Sequence, residues 1–289
     1  MSMPGRTSLT LQSADGVRLA AAHLPPATPE FAVHGTAVVL VPGFSGWSDR
    51  PAVRQLVSEL HRSAPSLGIV LIDLRGHGAS DGLTTLGDRE VLDVDAAIAA
   101  ARNLGYRRVI TMGWSMGATC VLRHAALTGT EVHGHSLSCP VDGVVTISAI
   151  SRWDVRDTVA MRRFHRMIGT RIGRALARRF YHVRIAPDAW APPSATPADA
   201  IAAVSVPLLV IHGETDHYYG WDHASALVEA APPGATLWLV PGLGHAEDAA
   251  VRPDVPGFLD RLGTALEALA AGLPIPAWDH EARRLGTPG

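Results

Sequence analysis

Arg107-Arg108-Val109-Ile110-Thr111-Met112-Gly113-Trp114-Ser115-Met116-Gly117-Ala118 is the stretch whose reading decides the fold. A short apolar run ends in Gly-Trp-Ser-Met-Gly, and no helix breaker follows until Gly129. The spacing predicts a strand, a sharp turn and a helix. Glycines two before and two after the serine suit a turn so tight that backbone and helix leave no room for a side chain. Such a turn lifts the Ser115 hydroxyl above the carboxyl edge of a sheet, at the start of a helix. The free N–H groups and the dipole there favour developing negative charge. Five residues of this form also fit an ordinary strand–helix turn. The Val/Ile run before them, and the buried-helix character of Ala118 to Leu122 after them, favour Ser115 as a nucleophile.

Outward from this stretch, strands and helices alternate. Thr36–Val41 and Gly68–Leu74 are continuous apolar runs, the pattern of strands buried on both faces. Val141–Ile150, Val206–His212 and Ala235–Val240 add three more. Pro51–Arg62 predicts a helix, with Ser48 or Asp49 placed to cap it. Asp88–Leu104 predicts an amphipathic helix stopped by Gly105. Further helices fall around Trp221–Ala231 and Pro256–Ala271. Thr7–Leu11 and Val17–Leu24 alternate around Asp15-Gly16, which reads as a hairpin. The whole is an α/β fold with a mostly parallel central sheet and helices on both faces. Active groups in such sheets lie just past the carboxyl ends of strands.

Two of the later strands end in suitable groups. His212-Gly213-Glu214-Thr215-Asp216-His217 follows one, and Pro241-Gly242-Leu243-Gly244-His245 follows the next. A serine needs a base within hydrogen-bond reach, and the base needs a carboxylate to orient it and stabilise its cation. Ser115, an acid and His245 occur in that chain order, each one loop beyond a strand. Among 14 histidines, His245 is the one that follows the last strand. Glu214 and Asp222 compete for the acid, and His-Gly-x-x-Asp after the strand favours Asp216.

Composition bounds the alternatives. The chain has 289 residues, enough for one large α/β core, and a formal charge of −2. That charge gives no support for whole-protein attraction to nucleic acid or membrane. All 25 basic residues are arginine, which excludes a lysine nucleophile. Cys120 and Cys139 suggest buried thiols and not a disulfide framework. Residues Met1 to Gln12 hold no apolar core of signal-peptide length, and no run approaches the roughly 18 apolar residues of a membrane span. A soluble, cytoplasmic protein is expected, with no integral membrane association; its oligomeric state stays open.

These motifs together resemble the α/β-hydrolase superfamily over nearly the whole chain. Gly113-Trp114-Ser115-Met116-Gly117 is similar to its nucleophile elbow, Asp73-Leu74-Arg75-Gly76-His77-Gly78-Ala79-Ser80 to its Asp-x-Arg-Gly-x-Gly-x-Ser loop, and the Asp216 and His245 segments to its acid and histidine motifs. The resemblance implies an oxyanion hole from the backbone N–H groups of Met116 and Phe44. Pro42-Gly43-Phe44 departs from the family's frequent His-Gly-x form. It also implies that Asp73, Arg75 and His77 hold a loop and take no part in chemistry. Ser115 at the elbow disfavours the branches whose nucleophile is an aspartate.

Residues 151–200 fit no strand. They hold ten arginines and four acids, a local charge of +6, which leaves −8 on the rest of the chain. In the resembling family an insertion here forms a small helical cap, so residues 1–150 and 201–289 would make the core and 151–200 the cap. Pro187, Pro192, Pro193 and Pro197 would lead back to the core. Met161, Phe164, Met167, Ile168, Ile172 and Leu176 recur at three- to four-residue spacing, an amphipathic face with arginines between. A solvated arginine face is the plainest reading. An electropositive rim that attracts carboxylates, phosphates or an acyl-carrier arm comes next. Attachment to an anionic membrane comes last, since it asks for a stronger apolar face. Trp47, Trp114, Trp153 and Trp221 fall in loops near the site; the first three are candidate substrate-binding residues, although core packing is the commoner role.

The expectation is a serine hydrolase for a carboxylic ester or similar acyl substrate, needing no metal or organic cofactor. A thioesterase or acyltransferase that recruits an acidic carrier is the runner-up, and a non-catalytic ligand-binding protein of the same fold is the competing class. Fold and triad do not name the substrate.

Overall fold

The computed structural model describes residues 5–28, 35–188, 195–245 and 255–278. Pro192 and Pro193 lie outside them. Strands β1 (Thr7–Gln12) and β2 (Arg18–Leu24) form the expected antiparallel hairpin. β3 (Thr36–Val41), β4 (Gly68–Ile72) and β5 (Arg108–Trp114) follow, then a two-residue hairpin β6–β7 (Glu131–Val132 and His135–Ser136). β8 (Gly143–Ile147), β9 (Leu208–Gly213) and β10 (Thr236–Val240) complete the set. Eight strands make one sheet in the order β1-β2-β4-β3-β5-β8-β9-β10. Within this sheet all pairs from β4 through to β10 are parallel, and the β1–β2 and β2–β4 pairs are antiparallel.

The two-residue period of the strands sorts their side chains into two cores. Val38, Leu40, Ile110, Met112, Val145, Leu209 and Trp238 pack with helices α1 (Pro51–Ser63) and α8 (Phe258–Ala271). Val39, Val70, Val109, Val144 and Val210 pack with α2 (Glu90–Asn103), α3 (Met116–Leu127) and α7 (Asp222–Ala230) on the other face. The strands are buried on both sides, which explains their unbroken apolar runs.

Neither expected cap of α1 caps it. The N-cap residue is Arg50, whose side chain makes no capping bond, and Pro51 opens the helix. Proline has no N–H to satisfy and its φ is preset for the first turn, so the side-chain cap is dispensable. Asp49 pairs with Arg6 at 2.7 Å, and Ser48 gives its N–H to Asp73 at 2.6 Å.

Between β8 and β9 the chain forms α4 (Val159–Gly169), α5 (Arg171–Tyr181) and the short α6 (Pro197–Ile201). The amphipathic pattern read as one face is divided at Thr170, whose hydroxyl accepts from Gly173 N at 3.0 Å and caps α5. Met161 and Ile168 of α4 are buried, whereas Ile172 and Leu176 of α5 are exposed. Isolated bridges His77–Val183 and Thr84–Ile185 tie the end of this excursion to the loop after β4. Ile201 and Val204 return to the core beside α3 and α7.

Candidate active site

β5 delivers Ser115 into a backbone conformation that few residues other than glycine adopt, φ 51° and ψ −115°. The flanking glycines have a direct steric cause. A Cβ at Gly113 would lie 2.3 Å from the Gly117 oxygen, and one at Gly117 would lie 2.1 Å from the Val41 oxygen. The elbow is thus pressed against the end of β3, which brings the loop bearing Phe44 alongside it. Ser115 accepts no capping role toward α3, so its hydroxyl is left for other partners.

Two loops at the same sheet edge supply them. His245 Nε2 lies 3.0 Å from Ser115 Oγ, and its Nδ1 lies 2.7 Å from Asp216 Oδ2. The Asp216 side chain is wholly buried and His245 is nearly so. Asp216 Oδ1 accepts the N–H groups of Tyr218 and Tyr219 at 2.8 and 3.1 Å. Burial alone would raise the Asp216 pKa, but the hydrogen bond and charge of His245 outweigh it and hold the carboxyl below its ordinary value. His212, the start of the His-Gly-x-x-Asp signature, stands 3.7 Å from Asp216 and 3.2 Å from the Tyr219 carbonyl. Burial lowers its pKa, which keeps it uncharged beside the carboxylate. The rival acids are elsewhere engaged: Glu214 is exposed, and Asp222 pairs with Arg152 at 3.3 Å.

The Asp73–Ser80 loop braces this edge from behind. Arg75 is buried against Asp93 and Asp15, each at 2.7 Å. Asp73 collects the N–H groups of Ser48 and Ala79. His77 is buried, with its ring nitrogens 2.6 Å from the Phe44 carbonyl and 2.9 Å from the Arg75 carbonyl. Phe44 therefore has a support, although its loop lacks the His-Gly-x form. Phe44 and Met116 both line the cavity, and neither N–H donates a hydrogen bond among the described residues.

A cavity of about 730 Å³ opens above Ser115 and His245. Its size suits a small organic molecule. Phe164, Met161 and Met167 of α4 form one wall, with Phe164 edge-to-face against Phe44 at 4.8 Å. Of the three tryptophans expected here, only Trp153 lines it, fixed by an N–H bond to the Ala195 carbonyl at 2.9 Å. Trp114 is a correction. It shares the parity of Ile110 and Met112, so β5 turns it into the core of α1 and α8, and it does not line the cavity. Trp47 also lies off the cavity and stacks at a tilt on His182, 5.0 Å between centroids. Trp221 is exposed.

Tyr218 and Tyr219 were not singled out from the sequence. Their rings lie 4.5 and 5.2 Å from that of His245, and the buried Tyr219 phenol reaches toward Ser115. The available signal was their position, two and three residues past Asp216, where backbone N–H groups commonly cap an aspartate side chain.

The sequence model of the alpha/beta hydrolase family matches residues 38–255, from β3 to beyond His245. The chain belongs to the alpha/beta hydrolase family. No curated protein sequence matches this hydrolase. Among solved structures it is similar to the esterase Pf2001 of Pyrococcus furiosus, with TM-score 0.68 and 18% identity over 92% of this chain and 91% of that one. It is also similar to the esterase RhEst1 of a Rhodococcus species, with TM-score 0.61 and 21% identity over 92% and 99%. Est1E of Butyrivibrio proteoclasticus with bound ferulic acid gives TM-score 0.57 and 18% identity over 91% and 96%. At such identities the likeness is one of fold. No helix among the described residues is long and apolar enough to cross a membrane.

Proposed function

We propose that this hydrolase cleaves a carboxylic ester, or a similar acyl substrate, through an acyl-enzyme on Ser115. The observation that carries the reading is the continuous line of hydrogen bonds from Ser115 Oγ through His245 to Asp216, at 3.0 and 2.7 Å. Ser115 Oγ attacks the substrate carbonyl carbon while its proton passes to His245 Nε2. Asp216 holds the Nδ1 proton and stabilises the imidazolium. The Phe44 and Met116 N–H groups receive the oxyanion, a contribution of about 3 to 4 kcal/mol per donor. The intermediate collapses, and the alcohol leaves with the proton from Nε2. Water then attacks the acyl-enzyme, gives its proton to Nε2, and the acid departs as Ser115 recovers its hydrogen.

Residues 151–200 act in this reading as the cap that sets acyl preference. Phe164 and Met167 of α4, with Trp153, would hold the apolar part of the substrate. The esterase names of the similar folds agree with an ester substrate.

Labelling with a fluorophosphonate probe tests the mechanism. The parent should label, Ser115→Ala should not, and His245→Ala should label at a rate lower by about 10³-fold or more. Absence of labelling in a folded parent would overturn the reading. A panel of p-nitrophenyl esters and acyl thioesters then orders the substrate classes.

A further inference from the structure

The cap surface carries a feature that the cavity does not use. α5 buries only Gly173 and Ala177. A Cβ at Gly173 would lie 2.0 Å from the Met167 carbonyl oxygen, so α5 lies close against the end of α4. On its outer flank Ile172, Leu176 and Phe180 recur every four residues, a spacing that aligns them as one ridge. They are 77%, 47% and 64% exposed. Tyr181 follows directly, half exposed, and lines the cavity. The ridge and one edge of the cavity are therefore joined along the chain.

Arginines make up much of the remaining exposed surface of α4 and α5, with Arg179 flanking the ridge and Arg171 and Arg178 on the opposite side of α5. Arg171, Arg178 and Arg179 of α5 and Arg163 and Arg166 of α4 make no ion pair or side-chain hydrogen bond among the described residues. The Arg179 guanidinium lies over the Phe180 ring at 5.4 Å. A helix with a sharply segregated apolar flank, an arginine-rich polar surface and low overall hydropathy has the composition of one that lies in a lipid–water interface. Guanidinium groups pair well with phosphate oxygens.

Shape and charge choose among occupants. A second copy meeting this face two-fold would set arginine against arginine. A rigid protein partner would need a groove to receive a ridge that stands clear of its surroundings, whereas the acyl region of a bilayer deforms around it. We propose that α5 is an interfacial helix that seats the cap on an anionic phospholipid surface and brings the Tyr181 edge of the cavity to the lipid. The proposal rests on this surface and not on the chemistry assigned to Ser115.

Vesicle co-sedimentation of the full chain tests it without any turnover. The parent should bind vesicles of phosphatidylglycerol and phosphatidylcholine, bind pure phosphatidylcholine about 100-fold more weakly, and be released by high salt. The triple variant Ile172→Ser, Leu176→Ser, Phe180→Ser should lose binding by tenfold or more. The variant Arg171→Gln, Arg178→Gln, Arg179→Gln should lose both affinity and salt dependence. Thermal melts like the parent's establish that both variants are folded, as expected for exposed positions. Parent protein that ignores anionic vesicles overturns the proposal, as do folded variants that bind like the parent. So would a parent dimer that the serine variant dissolves, or capture of an acidic acyl-carrier protein in place of vesicles.

Discussion

A methyl group added at Gly113 or Gly117 would meet backbone oxygen at 2.3 or 2.1 Å, while on α5 Ile172 stands 77% exposed to solvent. The elbow is packed between β3, β5 and α3 below the cavity, and its partner loops follow β9 and β10, which are neighbours in the sheet. Asp216 accepts three N–H groups, counting that of His245, and stays buried as it does so. Residues 151–188 are joined to the rest of the molecule by buried side chains, two isolated bridges and side-chain bonds such as that from Thr158 to the Tyr218 carbonyl, and five of their arginines make no ion pair or side-chain hydrogen bond among the described residues. The contrast separates two demands. Reacting groups need positions fixed from several directions, because small displacements are costly. Access and selectivity need surfaces that change without disturbing those positions.

Breaking the buried side should have the larger effects. Asp216→Asn keeps the shape but favours the wrong His245 tautomer, and should lower kcat by about 10³- to 10⁴-fold with the fold intact by circular dichroism. Gly117→Ala forces the elbow away from Val41 and Pro42; ester hydrolysis should fall by about 100-fold, with a lower melting temperature. On the cap side, Phe164→Ala should leave a short ester's kcat nearly unchanged and shift the ratio of kcat/KM between long and short acyl chains by about tenfold. A loss of kcat for all chain lengths would show that cap and elbow are not separable in this way.

The smallest effect concerns His223, at the joint between the two regions. Its Nδ1 accepts the Ser151 N–H at 3.1 Å and lies 2.9 Å from the Ser151 hydroxyl, which fixes a ring without a proton on Nδ1. Burial, then the nearby Arg152, lowers its pKa to about 4. The unfolded chain therefore binds more protons between pH 6.5 and about 4, and stability should fall as pH drops through that window. His223→Asn retains an acceptor near Nδ1 that does not titrate and should recover roughly 3 °C of the melting temperature lost at the acid end. An unchanged pH slope would assign the loss to other buried histidines such as His77 and His212, whose pKa values burial also lowers.

Much of the site was legible because local rules wrote it. The elbow glycines follow from backbone sterics, the sheet from unbroken apolar runs, and Ser115, Asp216 and His245 from chain order, each one loop beyond a strand. The core position of Trp114 is legible as well, since it shares the parity of Ile110 and Met112 along β5. Tyr218 and Tyr219 were harder, because their link to His245 runs through the fold of one loop around a carboxylate.

What the chain could not declare alone is where an amphipathic face ends up. Met161, Ile168, Ile172 and Leu176 belong to one periodic pattern, yet the first two are buried and the last two face water. Periodicity specifies that a helix has an apolar side; what covers that side depends on elements far away in sequence. The turn at Thr170 redirects the second helix, and no strand, helix or loop among the described residues covers its outer flank. Local sterics and hydrophobic period thus determined the sheet and its reacting edge. Only tertiary packing decided which apolar surface became cavity wall and which was left exposed.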